Sequence, residues 1–152
     1  MTVPCRVWIA STLLAALLLP AAARAADKAP LPIVFVHGNG DNAAVWMTTI
    51  WRFESNGYPG ELLDAVELRY PLAGKFYDTP EPAHSTAAEA TKQLAEEVAA
   101  VEKRTRAAKV ILIAQSRGGN IVRNYLRNAG GAAHTAIAIL CGTPDHGVIV
   151  SD

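Results

Sequence analysis

Ser116 stands where an unbroken apolar run, Val110-Ile111-Leu112-Ile113-Ala114, gives way through Gln115 to Arg117-Gly118-Gly119-Asn120. A serine hydroxyl is a weak nucleophile until a base reaches it. A sharp turn from strand into helix exposes its oxygen to base and substrate together. Such a turn crowds the positions two before and two after the serine, so both must be small. Here they are Ala114 and Gly118. The helix that starts at Gly118 aims backbone N–H groups and the positive end of its dipole at the serine. This arrangement suits acyl transfer through a serine nucleophile. A second cluster, His37-Gly38-Asn39-Gly40, closes another apolar run, Ile33-Val34-Phe35-Val36. Its glycines let a substrate oxygen approach the main chain closely. His37 itself reads as a structural group bonded within its own loop.

The elements that must position these clusters alternate along the chain. Ile33 to Val36 reads as a strand buried on both faces, the kind that belongs to parallel sheets. Asp41 or Asn42 is placed to cap a helix from about Ala43 to Ser55, which Asn56-Gly57 ends. A second strand is expected from Leu62 to Tyr70, stopped by Pro71, and a loop from Leu72 to Ser85. Phe76 and Tyr77 in that loop read as packed onto the core, with an acyl pocket as the alternative. Thr86 to Arg106 is the clearest helix, with Leu94, Val98 and Val101 at helical spacing and no Gly or Pro. A third strand covers Lys109 to Ala114, a helix Gly118 to Asn128, and a fourth strand Thr135 to Leu140. Strand alternating with helix implies an α/β protein with a parallel, helix-covered sheet. Ligands of such sheets sit at the carboxyl ends of the strands, where both clusters fall.

The Ala-x-Ser-x-Gly spacing between buried strand and helix resembles the nucleophile elbow of the α/β-hydrolase superfamily, in particular its small secreted bacterial lipases and esterases. Ala114 replaces the first glycine of the usual Gly-x-Ser-x-Gly, as it does in several of those lipases. The resemblance runs from Pro32 to Val150 and implies the family's strands three to six. It implies a carboxylic ester substrate, either a small molecule or a lipid. It also implies an oxyanion hole built from the backbone N–H groups of Arg117 and Asn39. Thr143-Pro144-Asp145-His146-Gly147 resembles the Thr-Pro-x-x-Gly segment that shapes the wall beside the nucleophile. The Arg117 side chain reads as pointing to solvent, and His84 and His134 as solvated surface. Nothing requires a metal or an organic cofactor.

The family orders its triad as serine, acid, histidine, with the acid after the seventh strand and the histidine after the eighth. Beyond Ser116 the acids are Asp145 and Asp152 and the histidines His134 and His146. Asp145 is the candidate acid, since some lipases carry it at the end of the sixth strand. His146 beside it is a poor partner, because adjacent side chains diverge while the triad needs the acid and the serine on opposite ring nitrogens. The expectation is therefore a hydrolase truncated after its sixth strand, with esterase activity near background in this chain. A non-catalytic hydrolase-like remnant or binding module is the alternative.

Arg6, an apolar stretch from Val7 to Leu19 and Ala23-Arg24-Ala25 compose a secretory signal peptide over residues 1–25, too short to span a membrane. The expected product, 26–152, is secreted or periplasmic and carries one partial domain. Removing 1–25 takes Arg6 and Arg24 from the 14 basic residues and leaves all 14 acidic ones. A slightly acidic chain of this kind argues against a nucleic-acid partner or an anionic membrane surface. Cys141 would be its one cysteine, so no internal disulfide forms. The apolar Thr135–Leu140 strand, unpaired along its outer edge, is expected to make the chain insoluble or self-associating.

Overall fold

The computed structural model describes residues 29–75 and 79–144. The leader, Phe76, Tyr77 and everything from Asp145 onward lie outside them. Four parallel strands form the main sheet: β1 (Ile33–Val36), β2 (Leu63–Ala65), β5 (Val110–Gln115) and β6 (Thr135–Cys141), in the order β2-β1-β5-β6. Between β2 and β5 in the chain lie β3 (Leu72–Ala73) and β4 (His84–Ser85), which pair with each other as a separate parallel ladder. The helices are α1 (Met47–Ser55), α2 (Ala87–Thr105), α3 (Arg117–Asn128) and a single turn, α4 (Gly131–His134).

The strand period of two sends alternate side chains to opposite faces. Val34, Val36, Leu112 and Ala114 meet Leu94, Val98 and Val101 of α2 and Ile121, Val122 and Tyr125 of α3. Ile33 and Phe35 point the other way, with Ile111 and Ile113, onto Trp46, Ile50, Phe53 and Tyr58. The Phe35 ring lies 5.2 Å from Trp46 and 5.9 Å from Phe53, centroid to centroid. The sheet is thus covered on both faces, and β1 is buried throughout because it lies at the centre. β6 is different. It pairs with β5 on one side, and Ile137 and Ile139 are 52% and 46% exposed.

Three expectations need correction. The second strand is Leu63–Ala65, not Leu62–Tyr70. Val66 and Leu68 are buried as their apolar character demands, and the Val66 N–H still reaches the Phe35 carbonyl of β1 (2.9 Å), but beyond it the backbone donors leave the ladder. The Leu68 N–H goes to Nε2 of His37 and the Arg69 N–H to Oε1 of Gln93. A strand cannot continue where its donors bond side chains. The Leu72–Ser85 segment, read as loop, contains the β3–β4 ladder. The turn α4 stands between Gly130 and β6, where no element was expected.

The remaining boundaries agree closely. Asn42 is the cap at the start of the α1 region, its Oδ1 accepting from the Ala44 N–H, and a 3-10 turn over Ala43–Trp46 leads into α1. Thr86 caps α2 in a full capping box: its Oγ1 accepts from the Glu89 N–H while the Glu89 carboxylate accepts from the Thr86 N–H. Arg106, at φ 58°, closes α2 in the left-handed conformation.

Candidate active site at the end of β5

Ser116 occupies the single residue between β5 and α3 and has φ 49° and ψ −125°. A residue with a Cβ in this region stores about 1–3 kcal/mol of strain, which persists only where the surroundings over-determine it. Here they do. The Ser116 N–H bonds the Cys141 carbonyl at the end of β6 (3.0 Å), and its own carbonyl accepts from Gly119 (3.0 Å). Ser116 is exposed, while Ala114 before it and Arg117, Gly118 and Gly119 after it are buried. A hydroxyl held at the surface by a rigid, buried frame is what a nucleophile requires.

The neighbouring small residues have steric reasons. A Cβ on Gly118 would lie 2.5 Å from the carbonyl oxygens of both Val36 and His37, so the start of α3 rests directly on the end of β1. A Cβ on Gly119 would collide with Oγ1 of Thr143 at 1.8 Å. A Cβ on Gly38 would come within 3.2 Å of the Ser116 Cβ and 3.3 Å of the Asp41 carboxylate. The loop after β1 and the turn after β5 therefore touch, and Gly38, beside Asn39, is where they do. Asp41 also accepts from Nε2 of Gln115 (3.0 Å), a tie between the two loops that the spacing of residues did not reveal.

Asn39 is exposed, and its side chain is occupied: Oδ1 accepts from the Ala73 N–H at 2.8 Å. Arg117 departs from expectation. It is only 3% exposed rather than turned to solvent. Nη1 donates to the Pro71 carbonyl (2.7 Å), and Nη2 to the Ser85 carbonyl (3.0 Å) and Ser85 Oγ (2.7 Å). Backbone carbonyls collected just ahead of β3 and at the end of β4 make a polar nest that a planar guanidinium fills well.

None of the described histidines stands as a base beside Ser116. His37 is fully buried, its Nδ1 bonded to the Gly38 carbonyl (2.9 Å) and its Nε2 accepting from the Leu68 N–H (3.4 Å). These partners fix the tautomer with the proton on Nδ1, and both nitrogens are in use. His84 bonds the Pro82 carbonyl, and His134 pairs with Glu102 at 2.9 Å. His134 ends α4 just ahead of Thr135, which is in register with Val110 at the start of β5, and so lies at the opposite end of the sheet from Ser116. Asp145 and His146 lie outside the described residues. Among the described residues no group of three or more His, Cys, Asp and Glu side chains is placed to hold a metal ion, and no helix is long and apolar enough to cross a membrane. A groove of about 540 Å³ between Arg69-Tyr70 and α2, lined by Glu89, Lys92, Gln93 and Glu96, does not include Ser116.

A parallel sheet covered on both faces, with a strained serine on the turn after an inner strand, defines an α/β-hydrolase fold. The sequence signature of the class 2 lipases matches residues 30–141, and the chain belongs to that family. No curated protein sequence matches it. Among solved structures it is similar to the mature form of the Bacillus licheniformis lipase BlEst2, with 25% identity and a TM-score of 0.60 over 80% of this chain and 44% of that one. The propeptide form of the same lipase gives the same identity and TM-score over 24% of its length. An extracellular α/β-hydrolase from a Paenibacillus species, described as sharing structural and functional homology with tobacco salicylic acid binding protein 2, has the same fold. It is 18% identical, with a TM-score of 0.50 over 73% of this chain and 40% of that one. The chain thus spans less than half the length of these structures.

Proposed function

We propose that the protein is a secreted serine hydrolase of carboxylic esters in which Ser116 is the nucleophile. The backbone N–H groups of Arg117 and Asn39 form the oxyanion hole, and Ala114 and Gly118 are the small residues that let the elbow turn. The observation that carries this reading is the conformation of Ser116: an exposed hydroxyl on a strained backbone at the end of a buried strand. In the reaction the Ser116 oxygen attacks the ester carbonyl carbon as a base takes its proton, and the carbonyl oxygen gains charge. Amides fixed at the start of α3 and in the loop after β1 would stabilise that charge without reorganising. The alcohol then leaves with a proton, and water releases the acid from Ser116 by the same route in reverse.

With the rings of His37, His84 and His134 engaged elsewhere, the base and the acid that orients it belong to residues outside the described ones, Asp145 being the candidate acid. The substrate class follows from the family and from the lipase among its structural neighbours. The leader sequence at 1–25 supports secretion. The apolar edge of β6 supports self-association as the expected partner interaction. The test is turnover of p-nitrophenyl butyrate by a chain that carries the base and the acid, compared with its Ser116→Ala variant. Loss of turnover to the uncatalysed level in the variant is expected. A variant that retains it removes Ser116 from the mechanism.

A further inference from the structure

We propose that the Arg117 side chain is a positioning group for the reaction, tying the two halves of the oxyanion hole together through the carbonyl of Pro71. The proposal rests on the reading of Ser116 and its two amide donors given above. Those donors belong to loops far apart in the chain, one after β1 and one after β5, and their spacing decides how well they serve one oxygen. A misplacement of about 1 Å at such a site can cost on the order of a hundredfold in rate.

Pro71 accepts two hydrogen bonds, one from each half. The Gly40 N–H, one residue beyond Asn39, reaches it at 3.1 Å, and Nη1 of Arg117 at 2.7 Å. A carbonyl oxygen has two lone pairs, so one atom joins the halves. Two residues further on, the Ala73 N–H holds Oδ1 of Asn39 at 2.8 Å. The other arm of the guanidinium holds the Ser85 carbonyl and Oγ, and Ser85 Oγ in turn donates to the Tyr70 carbonyl at 2.7 Å. Ala73 and Ser85 are register partners in the β3–β4 ladder, so both arms close on one small sheet. The result is a loop of bonds: Asn39-Gly40 to Pro71–Ala73, across the ladder to Ser85, through the guanidinium to Arg117. One residue thus gives its backbone N–H to the oxyanion and its side chain to the frame that fixes the other donor. A lysine ammonium is a point charge that lacks the planar fork needed to meet Pro71 and Ser85 at once.

The test compares wild type with Arg117→Lys and with the milder Ser85→Ala, which keeps the guanidinium and removes one of its acceptors. Residue-resolved amide hydrogen exchange on the full-length protein is the first readout. Exchange at Gly40 and Ala73 should quicken by about tenfold or more in Arg117→Lys and less in Ser85→Ala, with Val34 and Leu112 unchanged. If Arg117→Lys does not fold, Ser85→Ala carries the same comparison. Unchanged exchange at Gly40 and Ala73, or equal quickening through β1 and β5, overturns the tie. The second readout is the split between kcat and KM on p-nitrophenyl butyrate. The tie predicts that kcat falls about tenfold or more while KM holds, because the oxyanion forms only in the transition state. A rise in KM with kcat held overturns the positioning role. Failure of the nucleophile reading shows separately, as turnover surviving in Ser116→Ala, and the exchange measurement does not depend on turnover.

Discussion

The site depends on small side chains whose neighbours leave no room for larger ones. Gly118 packs on two backbone carbonyls, those of Val36 and His37, and backbone cannot rotate away as a side chain can. Gly118→Ala should therefore force α3 off the end of β1. The expected loss is about 1–3 kcal/mol of stability, the usual range for overpacking a filled site. Chemical denaturation of the variant measures it, and a loss within error of zero would mean that α3 does not rest on β1 as described. The turn at Ser116 was legible in the sequence because its requirement is local: an apolar strand, a serine, and small residues two positions either side. Arg117 was not legible. Its side chain is buried by acceptors 46 and 32 residues away, at Pro71 and Ser85, and nothing in its neighbours along the chain points to them. Gly38 and Gly119 are visible in the sequence as glycines, but their partners Ser116 and Thr143 become visible only when the strands are in register.

Among the elements, α2 shows how far local rules reach. Its capping box, its alanine content and its apolar stripe all agree, and the helix extends from Ala87 to Thr105 as the spacing implied. Thr86→Ala should cost about 1 kcal/mol through loss of the cap. Glu89 completes the box, and hydrogen bonds from the Thr86 backbone and side chain hold its carboxyl below its ordinary value of 4.5. A carboxyl whose pKa is lower folded than unfolded stabilises fully above the unfolded value and loses that contribution as pH falls through the folded one. The melting temperature of wild type should therefore exceed that of Glu89→Ala at neutral pH, with the gap narrowing as pH drops below 4.5. A gap that stays constant down to acid pH would rule out the charged form as the source. Local rules fail at β2. Val66 and Leu68 have the apolar character of a strand and are buried like one, yet His37 and Gln93 capture the nearby backbone donors. Side-chain acceptors arriving from β1's end and from α2 are tertiary facts, invisible in a single window of sequence.

For the whole molecule, strand alternating with helix was enough to give a parallel, helix-covered sheet, whereas the order β2-β1-β5-β6 was readable only through the resemblance to the α/β-hydrolases. The same order puts β6 at an edge, with Ile137 and Ile139 half in water and one row of backbone groups unpaired by β5. Such a row templates pairing with another chain. Residues 26–152 expressed alone should elute from size exclusion as an oligomer or aggregate, and Ile137→Lys with Ile139→Lys should shift them toward monomer. A wild-type chain that elutes as a monomer would show that this edge does not recruit a second copy. The central claim concerns Ser116, and covalent capture tests it most directly. The full-length protein is treated with a fluorophosphonate, digested, and the modified residue identified by mass spectrometry. A single phosphonylated site at Ser116, absent in Ser116→Ala, is the expected result. Modification of a different residue, or labelling that persists in Ser116→Ala, would contradict the account.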